Sequence, residues 1–525
     1  MVTTVLLLVI LATAVATGAR HWSIPAPSLL VVAGLLAGLL PFVPRVVVPP
    51  EVISVAVLPP LLYASAEEIS WRELKAVWRP VSLLALGLVL ASAFGIGALA
   101  AALTPLPRPM AFVLGAVLAS TDPVAVTALG RKLALPPRMQ TLVQSESLFN
   151  DATSLVLFKV AVGLAVTAGA VSPVAAGGEF VLLAGGGAVV GGAVAAAVTF
   201  IRARTGDPVL ETVTALVTPY VAYVLAEDLR TSGVTAVVVA GVALGARGHR
   251  LTNARIRLQV HAVYRTVVFM LESVVFALIG LELPGLIRDL NATQGGWCWQ
   301  ALVIALALIL VRLLWIVPMT WLTQRRRASV AGGPARLNWR VPAVLTWAGT
   351  RGVMPLAAAL SIPLLAQDGS PLPYRELVLV LTTSVVACTL VVQGFTLAPV
   401  VRASGIALEP ETTVREEAQA SKAVLRAALG RLDEMVEAEG VSAVVADRMR
   451  RDLETRLDHA RLRLSDEEPV EDAATMLAFR RLRRDLIAVE SAELQRLYET
   501  HRISGSTRGT VQHALDLEEA GLGEL

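Results

Sequence analysis

QSESLFNDATSLVLF, residues 144–158, lies inside an apolar run long enough to cross a bilayer. It nevertheless carries Glu146, Asn150 and Asp151, with hydroxyls at Ser145, Ser147 and Thr153. A charge at membrane depth costs about 2.5–3.5 kcal/mol even on lenient insertion scales, so such groups mark function more often than packing. On helical spacing Ser147, Asn150, Asp151 and Ser154 share one face, at i, i+3, i+4 and i+7. Glu146 and Asp151 are five residues apart. Their carboxylates therefore diverge by more than a quarter turn and serve different partners.

The surrounding chain has the composition such a helix needs. Its 525 residues are 55% hydrophobic and 17% charged, with a mean hydropathy of +0.66. Soluble domains carry about a quarter charged residues. The chain therefore reads as an all-α polytopic membrane protein, and a single soluble core is excluded. Apolar runs fall near residues 5–17, 28–42, 51–66, 81–103, 111–129, 139–168, 178–201, 208–226, 234–246, 267–287, 299–322, 341–365 and 377–401, about thirteen spans. No Lys or Arg precedes the first run, which favours a retained span over a signal peptide.

Loop charges set the topology. Alternate loops hold clusters: Arg72, Lys75 and Arg79; Arg131, Lys132 and Arg138; Arg202 and Arg204; Arg247 to Arg265; Arg325 to Arg340. The other loops hold single residues, such as Arg45, Arg108, Arg230, Arg288 and Arg375. By the positive-inside rule the N-terminus is external, the C-terminus cytoplasmic and the span number odd. The net charge of +3 is thus a topology signal and gives no ground for a nucleic-acid partner.

Two spans are interrupted. Ser120-Thr121-Asp122-Pro123 places a proline in the fifth, and Gly349-Thr350-Arg351-Gly352 places two glycines and an arginine in the twelfth. Six spans on either side of a lone seventh make two halves of opposite orientation, with breaks at corresponding positions. Paired broken helices in inverted repeats point to the substrate site of a secondary transporter. The Gly-rich seventh span (Gly185 to Gly192) reads as close helix packing.

The transmembrane part occupies residues 1–403, and composition changes after it. Residues 404–525 are rich in Glu, Arg, Ala and Leu with helical periodicity, a cytosolic helical tail. Its apolar stripes (Leu425, Leu429, Leu432; Met476, Leu482, Leu486) suit a small bundle or a dimer contact. Cys298 and Cys388 lack ligand spacing, so no bound metal cofactor is expected. All six histidines fall in expected loops or the tail, which leaves proton carriage to a carboxylate.

Asp151 is the group that binds a cation or a proton. Burial favours its protonated form and a bound cation its ionised form, so the two compete. Asn150 adds a neutral oxygen ligand. Carboxylate, amide and hydroxyl oxygens are hard ligands that suit sodium or lithium. At the first break, Thr121 supplies a hydroxyl and freed carbonyls, while Asp122 either caps the broken helix or faces the ion. Arg351, at the second break, needs a partner in the membrane, and Glu146 is the candidate for a structural ion pair. Arg312 needs one too, and the sequence does not name it. Glu272 reads as structural, Glu282 as lying near the outer interface, and Glu211, Tyr220 and Tyr223 as packing.

At these residues the chain resembles a known family. STDPVAV at Ser120–Val126, ESLFNDATSLVLF at Glu146–Phe158 and TRGVMPLA at Thr350–Ala357 are similar to blocks of the monovalent cation:proton antiporters, in their bacterial sodium/proton exchanger (NhaP-like) branch. VLPPLLYASA (residues 57–66) and TPYVAYVLAE (residues 218–227) match its weaker blocks. The resemblance implies a homodimer working by alternating access, with sodium and protons exchanging at Asp151. It implies that Asn150, Ser147, Thr121 and Asp122 line or support the site and that Glu146 pairs with Arg351. The chain departs from several relatives after LPPLL, where Tyr63-Ala64-Ser65 stands in place of an acidic residue.

The expectation is a sodium (or lithium)/proton antiporter of the inner or plasma membrane, serving pH homeostasis by electroneutral one-for-one exchange. It is not an enzyme and needs no cofactor. Potassium/proton exchange is the alternative. A cation channel lacks a filter motif, and an intramembrane aspartyl protease built on Asp122 and Asp151 lacks its GxGD sequence.

Overall fold

A computed structural model of the chain describes residues 26–40, 49–122, 136–167, 173–251, 254–291, 296–331, 339–406, 410–439, 442–462, 470–500 and 504–523, with Ile10, Thr13, Ala14, Val15, Thr17 and Arg502 besides. Most of the first expected span, residues 5–17, lies outside them, as do Pro123, Arg131 and Lys132 and the side chains of Glu282 and Met476. The chain forms two compact units, Met1–Ala407 and Leu408–Leu525. Among the described residues the structure is helical apart from connections and one isolated antiparallel bridge between Leu365 and Pro371.

In the first unit α1 is Ala26–Gly38. α2 is one rod built from Pro50–Val52, Ile53–Val57 and Leu58–Glu67. Its middle segment widens to a π-turn just ahead of Pro59 and Pro60, which cannot donate to the helical ladder. α3 is Trp71–Leu103, α4 Arg108–Ala119, α5 Pro137–Thr167 and α6 Pro173–Arg202. α7 is Pro208–Asp228, α8 Gly233–Leu251, α9 Ala254–Asn291 and α10 Trp297–Ala331. α11 (Arg340–Trp347) and α12 (Val353–Leu360) are two short helices with an unwound stretch between them, and α13 is Arg375–Ser404. Among the described residues, seven helices are long and apolar enough to cross a bilayer. The chain is a multi-pass membrane protein.

Local chemistry places the boundaries. Asp207 caps α7 by accepting the N–H groups of Val209 (2.7 Å) and Leu210 (3.1 Å), with Pro208 at the first helical position. Gly405 ends α13 in the left-handed conformation at φ 60°. α1 and α9 pack backbone to backbone: a Cβ on Gly34 or Gly280 would collide with the opposing carbonyl of Ala277 or Val31. Gly186, Gly187 and Gly191 of α6 meet residues 231–236 at the start of α8 in the same way, which is the packing role the sequence suggested.

His249 and His261 lie within α8 and α9, which extend beyond the apolar cores read from hydropathy; His261 is exposed. Arg202, counted from sequence as a loop charge, is the last residue of α6 and is buried.

In the second unit α14 (Pro410–Glu439) and α15 (Ala443–Leu462) pack through Leu425, Leu429, Leu453, Leu457 and Ala460. α16 is Val470–Glu499 and α17 Gly505–Gly523. Arg483 binds Glu490 at 3.0 Å and Glu518 at 2.7 Å, and its hydrogen bonds hold the Glu518 carboxyl below the usual range. The second expected stripe is not a core: Leu482 and Leu486 are exposed, while Ile487 and Leu494 are buried.

Candidate functional site

α4 ends where Ser120 turns extended (φ −66°, ψ 144°), and α11 ends at Trp347. The two unwound stretches meet. The Asp122 N–H donates to the Thr350 carbonyl at 2.8 Å, and the Thr350 hydroxyl donates to the Asp122 carbonyl at 2.8 Å. These reciprocal bonds use peptide groups that broken helices leave without ladder partners. Gly352 permits the approach: any Cβ there would overlap the Asp122 side chain.

α5 docks on the end of α4 with the face read from its spacing. The Ser147 hydroxyl donates to the Thr121 carbonyl at 2.5 Å, and the Asn150 amide nitrogen donates to the Thr121 hydroxyl at 3.2 Å. Asp151 Oδ1 accepts from the Ser120 hydroxyl at 2.6 Å, and the Ser154 hydroxyl donates to the Ala116 carbonyl at 2.7 Å. Ser147, Asn150, Asp151, Ser154, Thr121 and Asp122 are all buried, with Asp151 7% and Asp122 9% exposed. The Asn150 Oδ1 is buried beside them without a protein partner. Ser120 and Thr350 were not singled out from the sequence. They carry no charge, and only their places at two breaks that meet give them partners.

Glu146, on the other side of α5, departs from expectation. Its carboxylate is bound by Arg312 of α10, not by Arg351: Nη1 to Oε1 is 2.5 Å and Nη2 to Oε2 is 3.1 Å. The Arg312 Nε donates to the Leu345 carbonyl at 3.0 Å, and Gly349 leaves the room this guanidinium occupies. Arg351 turns back on its own break, with Nη1 donating to the Gly349 carbonyl at 3.0 Å and Nε unpartnered. It stays within electrostatic range of Glu146, Asp151 and Arg312. The physical reason is reach. Two buried arginines compete for one carboxylate, and the one on the facing helix makes the bidentate geometry that guanidinium and carboxylate prefer.

Glu272 is half-buried and within electrostatic range of Asp122. Glu211 is more than packing: its Oε2 is 3.2 Å from the Arg202 Nε, and both side chains are buried. Tyr220 donates to the Ala56 carbonyl at 3.3 Å. Tyr63, in the stretch after LPPLL that lacks an acid, is fully buried against Tyr264, ring centroids 5.6 Å apart.

The unwound end of α4 meets the unwound stretch between α11 and α12 beside a buried carboxylate in a multi-pass helical membrane protein, an arrangement that points to the site of a secondary transporter. Comparison gives the family. The family described as "Sodium/hydrogen exchanger, transmembrane" matches residues 5–403. A sodium/proton exchanger of Mycobacterium bovis is 32% identical over 507 residues, 96% of this chain and 93% of the relative. The Na(+)/H(+) antiporter ApNhaP of Aphanothece halophytica is 35% identical over 358 residues, 68% of this chain and 65% of its own. The solved sodium proton antiporter MjNhaP1 of Methanocaldococcus jannaschii has the same fold, with a TM-score of 0.61 at 20% identity, covering 77% of this chain and 98% of that one. The chain belongs to the sodium/hydrogen exchanger family.

Proposed function

We propose that this protein exchanges sodium for protons one for one, with both competing for Asp151. The observation that carries the reading is the pairing of two oxygens. Asp151, held by Ser120, lies beside the buried Asn150 Oδ1, which has no protein partner. A dehydrated cation replaces that missing partner, and the Asp151 carboxylate supplies its countercharge. Ser147, Thr121 and Asp122 complete the site. The Thr121 carbonyl retains a lone pair beyond the one that Ser147 uses, and the Asp122 carboxylate lies against Gly352.

Charge supports the stoichiometry. Among the described buried groups at the crossing, and apart from the half-buried Glu272, Asp122, Glu146 and Asp151 face Arg312 and Arg351. Three carboxylates against two guanidiniums leave one negative charge, which one proton or one monovalent cation cancels. The site then has the same charge in both loaded states, and a cycle that moves only loaded states is electroneutral. Hard oxygen ligands suit sodium and lithium.

The membrane is the inner or plasma membrane, with the N-terminus external and the tail cytoplasmic by the arginine distribution, and the physiological role is pH homeostasis. The working unit is a homodimer, as the family resemblance implies. Proteoliposomes loaded with sodium, lithium or potassium, with and without a clamped potential, test this. Proton uptake driven by sodium and lithium, with a rate insensitive to the potential, is expected; a rate that follows the potential sinks the one-for-one assignment.

A further inference from the structure

The half of α5 beyond the site carries a lysine that ion binding does not use. Lys159 lies eight residues after Asp151, roughly 12 Å along the helix axis, toward the side of the membrane whose loops are poor in arginine. Its ammonium pairs with the Glu227 carboxylate near the end of α7. The two side chains are 26% and 35% exposed.

Glu227 is held by its own hairpin. Its Oε1 accepts the Gly233 N–H at 2.9 Å across the α7–α8 turn. A side chain at position 233 would crowd Glu227 and Tyr223, with a Cβ 2.7 Å from each. The same turn is pinned to α6, because the Ser232 N–H donates to the Leu183 carbonyl at 3.0 Å. Glu227 therefore belongs to the α6–α8 frame whether or not Lys159 is present, and Lys159 is the partner that can leave.

The joints around α5 are unequal. Asp151 is buried, so an exchange cycle that admits ions to it must open the packing around α5. Four buried hydrogen bonds bind α5 to the end of α4, and the bidentate Glu146–Arg312 pair binds it to α10. Toward α7 the charged tie is one part-exposed ion pair, which water screens and which opens cheaply. Movement takes the weaker joint.

We propose that Lys159–Glu227 is a latch, closed in this structure and broken once in each transport cycle as α5 shifts against the α7–α8 hairpin. Lys159 is then a positioning residue that acts through α5. This inference rests on the exchanger reading, and its test separates the two. A Lys159→Cys/Glu227→Cys protein, also carrying Cys298→Ser and Cys388→Ser, is reconstituted in proteoliposomes. It is bridged with a reducible bifunctional methanethiosulfonate whose spacer matches the pair. Sodium-driven proton movement before bridging reports on the exchanger reading alone. Bridging is expected to lower turnover at least tenfold, and reduction to restore it. A bridged protein that turns over at the unbridged rate overturns the latch and leaves the exchanger standing.

A second measurement needs no bridge. Lys159→Glu is expected to change the maximal rate several-fold with the apparent sodium affinity within twofold of the parent. Lys159→Glu/Glu227→Lys is expected to restore the rate. A single variant that instead alters sodium affinity at unchanged maximal rate would contradict the proposal.

Discussion

Arg312 grips Glu146 with both terminal nitrogens, at 2.5 and 3.1 Å, and gives its Nε–H to the Leu345 carbonyl at 3.0 Å. One arginine from α10 thereby ties α5 to α11 within a turn of the second break. The helix that carries Asp151 and the helix that is interrupted beside it are held in register by this one side chain.

That tie is expected to be structural. Removing one partner of a buried ion pair leaves the other uncompensated, at a cost of about 3–5 kcal/mol. Glu146→Gln and Arg312→Gln should each lower the melting temperature of the detergent-solubilised protein markedly, and the double variant should recover part of the loss. Arg351→Gln, which removes no ion pair of Glu146, should lower it less. Equal losses for Arg312→Gln and Arg351→Gln would contradict the observed pairing.

Gly352 is expected to be intolerant of the smallest side chain. A Cβ there overlaps the Asp122 carboxylate, and overpacking of this kind costs about 1–3 kcal/mol. Gly352→Ala should retain the helical circular dichroism of the parent but lose most sodium-driven proton movement, because the crossing must open to admit the methyl group. Full activity in Gly352→Ala would show that the two breaks need not meet as closely as they do here.

Ser147 holds the Thr121 carbonyl, and Ser120 holds Asp151. The Ser147 bond joins neutral groups and is worth about 0.5–1.5 kcal/mol, roughly a two- to tenfold change in affinity, whereas the Ser120 bond to a carboxylate is worth about 1.5–3 kcal/mol, roughly a ten- to hundredfold change. Ser147→Ala and Ser120→Ala should raise the sodium concentration for half-maximal exchange by those respective factors, measured at fixed pH. No change in either would remove these hydroxyls from the account.

Competition fixes the sign of the pH dependence. Lower pH fills Asp151 with protons, so the apparent KM for sodium should rise as pH falls, while saturating sodium restores the maximal rate. If acidification lowers the maximal rate at an unchanged KM, proton and sodium are not sharing one group.

Much of this was legible in the chain because α5 obeys a strict period. Ser147, Asn150, Asp151 and Ser154 share a face by spacing alone, and all four meet α4 or the break beyond it. The breaks were legible because proline and paired glycines cannot continue a helix in an apolar run. The partner of Glu146 was not legible. Arg312 and Arg351 are both buried arginines in late spans, and which one lies opposite α5 depends on how α10 and α11 pack. Arg202 and Glu211 were misread for a related reason: hydropathy ends a span where charges begin, yet these two charges bury each other at the helix ends. Ser120 and Thr350 gave no signal, since a hydroxyl at a break becomes informative only when the other break arrives beside it.

The central claim is that Asp151 carries the exchanged ion and proton, and sodium-driven proton movement in proteoliposomes containing Asp151→Asn tests it most directly. The amide preserves size and can still accept the Ser120 hydroxyl, but it neither titrates nor carries a countercharge. Exchange should fall to the level of protein-free vesicles while the variant remains folded and monodisperse. Exchange at the parental rate would contradict the assignment of Asp151 and with it the account of the site.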